Sequence, residues 1–291
     1  MPIEEINTNS VSEFWETISP TGNFISGMRN PIFRGQGDSC WPLTPSVLRK
    51  EIISTYESDN WRSTQIDQIV HFEYFLLFDF LHYLDKMRFT IPNDSTEFRK
   101  HMEFSEFTNR YGTDGVGWPS KEYFSFIALA QHHGIPTRLL DWTKDQYVGA
   151  YFATSQVLNL KDKPERLAIW VVDSNVLKIL RGKLEYLELP AETSKFMTAQ
   201  KGVFLIHRQQ NGMGRSSSFS SEELKYVVNK LFEENEKCTA YKVTLPASMA
   251  GDLLFKCNVH GVSAATLFPD LNGAARAALE YKMAKKLSDR L

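Results

Sequence analysis

The sequence predicts an α+β protein built on a single mixed sheet with helical insertions. Three observations carry that prediction. Helix-spaced apolar residues dominate the first half of the chain, strand-like runs enter later and alternate with helices, and no Gly/Ser-rich or Pro-rich linker separates the two. The 291 residues, 42% of them hydrophobic, are enough to bury one large core, so residues 1–291 are expected to form one domain. Its core is expected to span about residues 24–280, with a helical insertion at about 60–120.

The elements follow in chain order. Ser10 precedes an apolar pattern and Glu13 lies three residues on, the spacing of a helix N-terminal capping box. Ile32 to Gly35 reads as a short strand, and Trp41 to Leu48 as a loop held by Pro42 and Pro45. From Thr64 to Arg88 the apolar residues Ile66, Ile69, Val70, Leu76, Leu77, Phe80, Leu81, Leu84 and Met87 recur at helical spacing. Phe72, Tyr74, Phe75, Phe78 and Tyr83 crowd the same helix, which predicts burial on most of its sides. Residues 92–120 read as a loop with a short helix between Glu97 and Phe107. Helices are expected over Ser120–His133, stopped by Gly134 and Pro136, and over Asp145–Leu158. Leu167–Val172, Gly202–Ile206 and Ala240–Leu245 are runs of strand formers; Ser221–Glu236 and Gly273–Leu287 are helical.

Composition excludes several classes. Thirty-three basic residues face 35 acidic ones, so no uniformly basic coat binds nucleic acid. No apolar run approaches the roughly 18 residues of a membrane span. The acidic start, Met1 to Glu5, does not read as a signal peptide, and Cys40, Cys238 and Cys257 show no disulfide or zinc spacing. A reducing, cytoplasmic setting is expected.

Four segments hold chemistry-bearing residues. Phe33-Arg34-Gly35-Gln36-Gly37 places an arginine at a strand end beside two glycines. Such an arginine can grip a phosphate with two parallel hydrogen bonds while glycine admits close backbone approach; a plain turn with a surface arginine reads equally well. The segment from Gln131 to Thr143 gathers His132, His133, Thr137, Arg138, Asp141, Trp142 and Thr143 around a helix end. Adjacent histidines point about 100° apart on a helix and make poor joint metal ligands, so no metal is expected. They suit a helix C-terminal cap, and Asp141 suits either a histidine partner or a buried pair with Arg138. From Thr193 to Ser221 there is no Asp or Glu, while Lys195, Lys201, Arg208 and Arg215 lie among Phe196, Phe204, His207 and Phe219. That pattern fits phosphate contact with base stacking, or a solvated basic loop. Leu267 to Gly273 reads as a structural turn into the last helix.

These segments resemble the FRG domain family. The Phe33-Arg34-Gly35-Gln36 opening, the Trp41-Pro42-Leu43 and Pro45-Ser46-Val47 runs, the Gln131–Thr143 signature, Tyr151-Phe152-Ala153, Ala199–Phe204 and Leu267–Leu271 carry the likeness. A looser resemblance links Arg34-Gly35 to the first motif of ADP-ribosyltransferases, and His133-Gly134 with Gly149–Ala153 to their nicotinamide-site elements. It implies an ADP-ribosyltransferase-like fold with NAD as substrate and no metal. Arg34, His132, Asp141 and Gln200 would be catalytic. Arg34, Gly35, Gln36, His132, Thr137, Arg138, Trp142, Thr143 and Tyr151 would bind the dinucleotide, with Trp142 or Tyr151 stacking on nicotinamide. The sequence departs from that family where its late catalytic glutamate would stand, since Gln200 and Gly202 occupy the place.

The implied function is a bacterial toxin or anti-phage effector that modifies a macromolecule. RNA is the favoured acceptor, entering past residues 195–215, and an antitoxin is a possible partner. Two other readings stay open. One is a non-catalytic nucleotide- or protein-binding module; the other is a nuclease or phosphotransferase using His132 and His133 as acid and base.

Overall fold

A computed structural model describes residues 3–56, 66–112, 114–180, 183–189, 195–209, 227–234 and 240–288. Its first strand, β1 (Ile3–Asn7), leads into helix α1 (Val11–Ile18), where the Ser10 hydroxyl accepts from the Glu13 amide and the Glu13 carboxylate accepts from the Asn9 amide. Strand β2 (Pro31–Gln36) follows, then helices α2 (Lys50–Tyr56), α3 (Ile66–Met87), α4 (Thr96–His101), α5 (Phe104–Tyr111) and α6 (Phe124–His132). Strand β3 (Leu139–Thr143), helix α7 (Gln146–Asn159) and strands β4 (Arg166–Asp173) and β5 (Leu184–Leu187) come next. Helix α8 (Lys195–Ala199) enters β6 (Gly202–His207), and β7 (Ala240–Pro246) completes the strands. Helices over Val227–Glu233, Ala250–Val259 and Leu271–Ser288 surround β7 in sequence.

The seven strands among the described residues form one mixed sheet in the order β1-β7-β4-β2-β3-β6-β5. The β1–β7 pair is parallel and every other pair antiparallel. Side chains alternate across it, as the two-residue period requires. On one face Ile32, Leu140, Trp142, Trp170, Val172, Val203 and Leu205 pack against Leu43, Val47, Phe72 and Phe232. The other face is covered by two separate helical blocks. Phe33, Ile169, Val171 and Val243 pack under α1, α7 and the Ala250–Val259 helix. Leu139, Phe204 and Ile206 pack under the insertion formed by α3 to α6. The seam between those blocks runs along β2 and β3.

Helix α3 corrects one expectation. Its Ile69, Val70, Tyr74 and Leu77 are buried, but Phe75, Phe78, Tyr83 and Met87 are exposed. The aromatic excess therefore marks a one-faced helix with an apolar outer rim.

Strands β1, β3 and β5 were not foreseen, and residues 92–120 hold two helices where one was expected. Of the helix expected over Ser221–Glu236, Val227–Glu233 is described; the remainder lies outside the described residues. No helix among the described residues is long and apolar enough to cross a membrane.

Candidate functional site

The sheet divides at the β2–β3 seam. These strands pair at a single position, Phe33 opposite Thr143, whereas β2 pairs with β4 along its whole length. Beyond Phe33 the Arg34 side chain fills the fork: its Nη1 donates to the Asp141 backbone carbonyl at 2.6 Å and lies 3.9 Å from the Asp141 carboxylate. The far end is laced shut, as the Ser46 hydroxyl donates to the Thr137 carbonyl and accepts from the Thr137 amide.

A cleft of about 340 Å³ opens at this fork. Phe33, Arg34 and Gly35 of β2 and Asp141, Trp142 and Thr143 of β3 supply its base. Ala128, Gln131 and His132 of α6 form one wall, and Phe152 and Gln156 of α7 the other. Gln200, Met197, the start of β6 and Phe268 close it. Arg34, His132, Asp141 and Gln200, drawn from three separate segments of the sequence, thus line one space.

The electrostatics are those of an under-satisfied cation. Arg34 has only 14% of its side chain exposed, and its buried Nε has no partner among the described residues. Burial pushes its pKa down to about 10; Asp141 opposes that shift and the nearby Arg49 adds to it. The guanidinium stays charged at neutral pH, with less compensation than a buried cation normally finds. A bound anion would supply the remainder.

Asp141 is the one carboxylate among the described residues lining the cleft, and its side chain is 70% exposed. Its orientation is set by a relay. The Thr137 hydroxyl donates to Gln131 Oε1, which fixes the amide so that Nε2 donates to Asp141 at 2.6 Å. His132 ends α6, and its pKa is lowered by burial and by His133 against the pull of Asp141. Its neutral ring can accept or donate at physiological pH. Thr143 donates to the Gln200 carbonyl and Gln200 Nε2 donates to the Leu267 carbonyl, which ties α8 and the Phe268 segment to β3.

Several expected ligand-binding residues serve the fold instead. Gln36 is buried between the Pro42 carbonyl and the Trp170 indole N–H. Thr137 is fully buried at the head of the relay. Arg138 pairs with Glu73 of α3 at 2.5 Å, not with Asp141, both side chains being essentially buried. Trp118 Nε1 and the Arg138 amide also donate to Glu73, so this charge is fully met. Tyr151 is fully buried with its hydroxyl on Glu280, and cannot stack on a ligand. Trp142 borders the cleft, but it is 3% exposed and packed among core residues, which leaves no open ring face; its Nε1 has no partner among the described residues. Gly35 does line the cleft, yet a Cβ there would sit 2.0 Å from the Gly149 carbonyl, so the glycine is required by α7 crossing β2.

Of the basic stretch, the described members are engaged. Lys201 pairs with Asp145, and Arg208 pairs with Glu185 and donates to the Pro119 carbonyl. His207 is buried and its pKa is pushed down to about 3. Arg215 and Phe219, and the side chains of Lys195 and Phe196, lie outside the described residues. No group of three potential metal ligands occurs among the described residues.

Sequence reading quoted Phe152 and Phe268 only within motifs, gave neither them nor Gln131 a role of its own, and missed Gln156. The helical phase of α7 held the signal: Gly149, Ala153 and Gln156 approach β2, so Phe152 faces the seam and Tyr151 turns about 100° away.

Residues 29–162 match the family model of the FRG domain. That span includes β2, α6, β3 and α7, which supply the base and both walls of the cleft, and ends before β6. No curated protein and no solved structure matches the chain.

Proposed function

We propose that this FRG-domain protein is an NAD-dependent ADP-ribosyltransferase. Its role would be that of a cytoplasmic toxin or anti-phage effector with a macromolecular acceptor, RNA being favoured. The observation that supports it most is Arg34, a buried and incompletely paired cation in the sheet fork. A second space, of about 670 Å³, shares Arg34 and Gln156 with the cleft. Two chambers that border the same cation would suit a ligand with two bulky ends and an anionic middle, which describes a dinucleotide.

In such a transfer the bond from the ribose C1′ to the nicotinamide nitrogen breaks. Nicotinamide leaves with the electron pair, and positive charge builds on the ribose ring. Asp141, held by Gln131, would stabilise that charge in place of the glutamate absent from β6. The acceptor nucleophile then bonds to C1′, and neutral His132 would take its proton. Phe152 and Phe268, not Trp142 or Tyr151, offer aromatic surface to the nicotinamide.

The test is incubation with labelled NAD and cellular RNA or protein. Label transfer that Arg34→Ala and Asp141→Asn abolish is the expected result. Absence of transfer and of NAD loss, with Arg34→Ala as toxic in cells as the wild type, would refute it. A non-catalytic nucleotide-binding module is the second reading, and the missing late acid favours it; saturable NAD binding without turnover would select it.

A further inference from the structure

Beyond Arg34 and Gln36, the 670 Å³ chamber is lined by residues to which the sequence reading gave no role. Arg34 and Gln156 form its boundary with the cleft, and Trp41, Arg49, Lys50 and Glu51 lie beyond. Its charge balance is positive, three cations to one carboxylate. Arg49 is pinned from one side, its Nε and Nη2 both donating to the Thr44 carbonyl at 3.2 Å. Asp141 and Glu51 act on it only through space, and burial lowers its pKa. The Arg49 charge also lowers the pKa of Arg34 by repulsion across this boundary. Phosphate oxygens would relieve that repulsion and complete both guanidinium hydrogen-bond sets.

Two further features give the chamber a nucleotide character. Trp41 is 37% exposed at its edge, with its backbone amide bonded to Asp38 and Pro42 next in sequence. A partly exposed indole at the edge of the chamber is a candidate platform for a base. Gln156 Oε1 accepts from the Gly37 amide, which leaves its Nε2 as a donor at the boundary between the chambers.

We propose that this second chamber binds the 5′-diphosphate and base of a nucleotide, with Arg49 as a second anion anchor beside Arg34 and Trp41 stacking on the base. The assignment of that nucleotide as the adenosine diphosphate half of NAD rests on the transferase reading; the binding of a nucleoside diphosphate does not.

The experiment is calorimetric titration of the full chain with ADP and, separately, with nicotinamide mononucleotide. The variants are Arg49→Gln, Arg49→Lys and Trp41→Leu, each checked for an unchanged melting midpoint. ADP is expected to bind the wild type and to weaken tenfold or more in Arg49→Gln and Trp41→Leu. Arg49→Lys should recover part of the loss, and nicotinamide mononucleotide binding should change less than twofold. ADP binding that is absent, or unaltered in both folded variants, overturns the subsite. NAD turnover measured in parallel separates the two claims. Turnover with unchanged KM in both variants retains the transferase and overturns the subsite. ADP binding lost in Arg49→Gln, in a protein that never consumes NAD, retains the subsite and overturns the transferase.

Discussion

Two arginines flank the start of β3, and the molecule treats them oppositely. Arg138 meets Glu73 at 2.5 Å with both side chains essentially buried, and Trp118 and a backbone amide complete the carboxylate's shell, although Arg138 Nη2, like Arg34 Nε, has no partner among the described residues. Arg34 faces Asp141 across 3.9 Å, its Nε is orphaned, and the carboxylate is open to solvent. The first pair is closed, and fastens the helical insertion to the sheet. The second is open, and holds a desolvated charge beside a cleft. The difference separates a cation that the fold needs from one that the fold tolerates.

The largest effect should come from breaking the closed pair. Arg138→Met strands the Glu73 charge, and we expect a loss of about 3–5 kcal/mol in urea unfolding. A companion Glu73→Gln change should recover part of it, because Trp118 keeps an acceptor. The open pair should respond next, through the relay that aims it. Gln131→Ala frees the Asp141 carboxylate and should lower transfer about tenfold, or about 1.4 kcal/mol of transition-state stabilisation, with a small change in unfolding free energy. Arg34→Met should shift unfolding by less than about 1 kcal/mol, or raise stability, because removing a poorly compensated buried cation relieves its desolvation. A loss comparable to that of Arg138→Met would erase the distinction. The smallest effect concerns pH. His132 has a pKa below that of free imidazole, so its neutral form persists as pH falls through the usual histidine range. The acid limb of a transfer-rate profile should therefore lie below that range and disappear in His132→Gln; a limb at the ordinary value would contradict the burial that sets it.

Much of the fold was legible because local chemistry dictates it. Ser10 and Asp145 cap their helices through side-chain oxygens, and Gly134 takes φ +90° just past α6, which the Gly134–Pro136 stop signal requires. The strands that were missed lacked a clean apolar pattern. Asp141 interrupts β3 because the open cleft solvates it, two glutamates sit in the edge strand β1, and β5 has four residues. The site was legible as a set of segments and illegible as a division of labour. Arg34 and Arg138 look alike in sequence, since the partner that neutralises Arg138 lies 65 residues away in a helix that reads as core. Tyr151 and Phe152 differ only in helical phase, and Gln131 gains its role from Thr137 and Asp141 together, which spacing alone does not reveal.

The central claim is that Arg34 is the anion anchor of a dinucleotide cleft. Titrating NAD into the wild type and into Arg34→Met, with melting curves recorded on the same samples, tests it most directly. The account predicts saturable binding to the wild type, at least a hundredfold weaker in the variant, with a melting midpoint equal or higher. Equal affinity in the two proteins, or no wild-type binding at millimolar NAD, would contradict it.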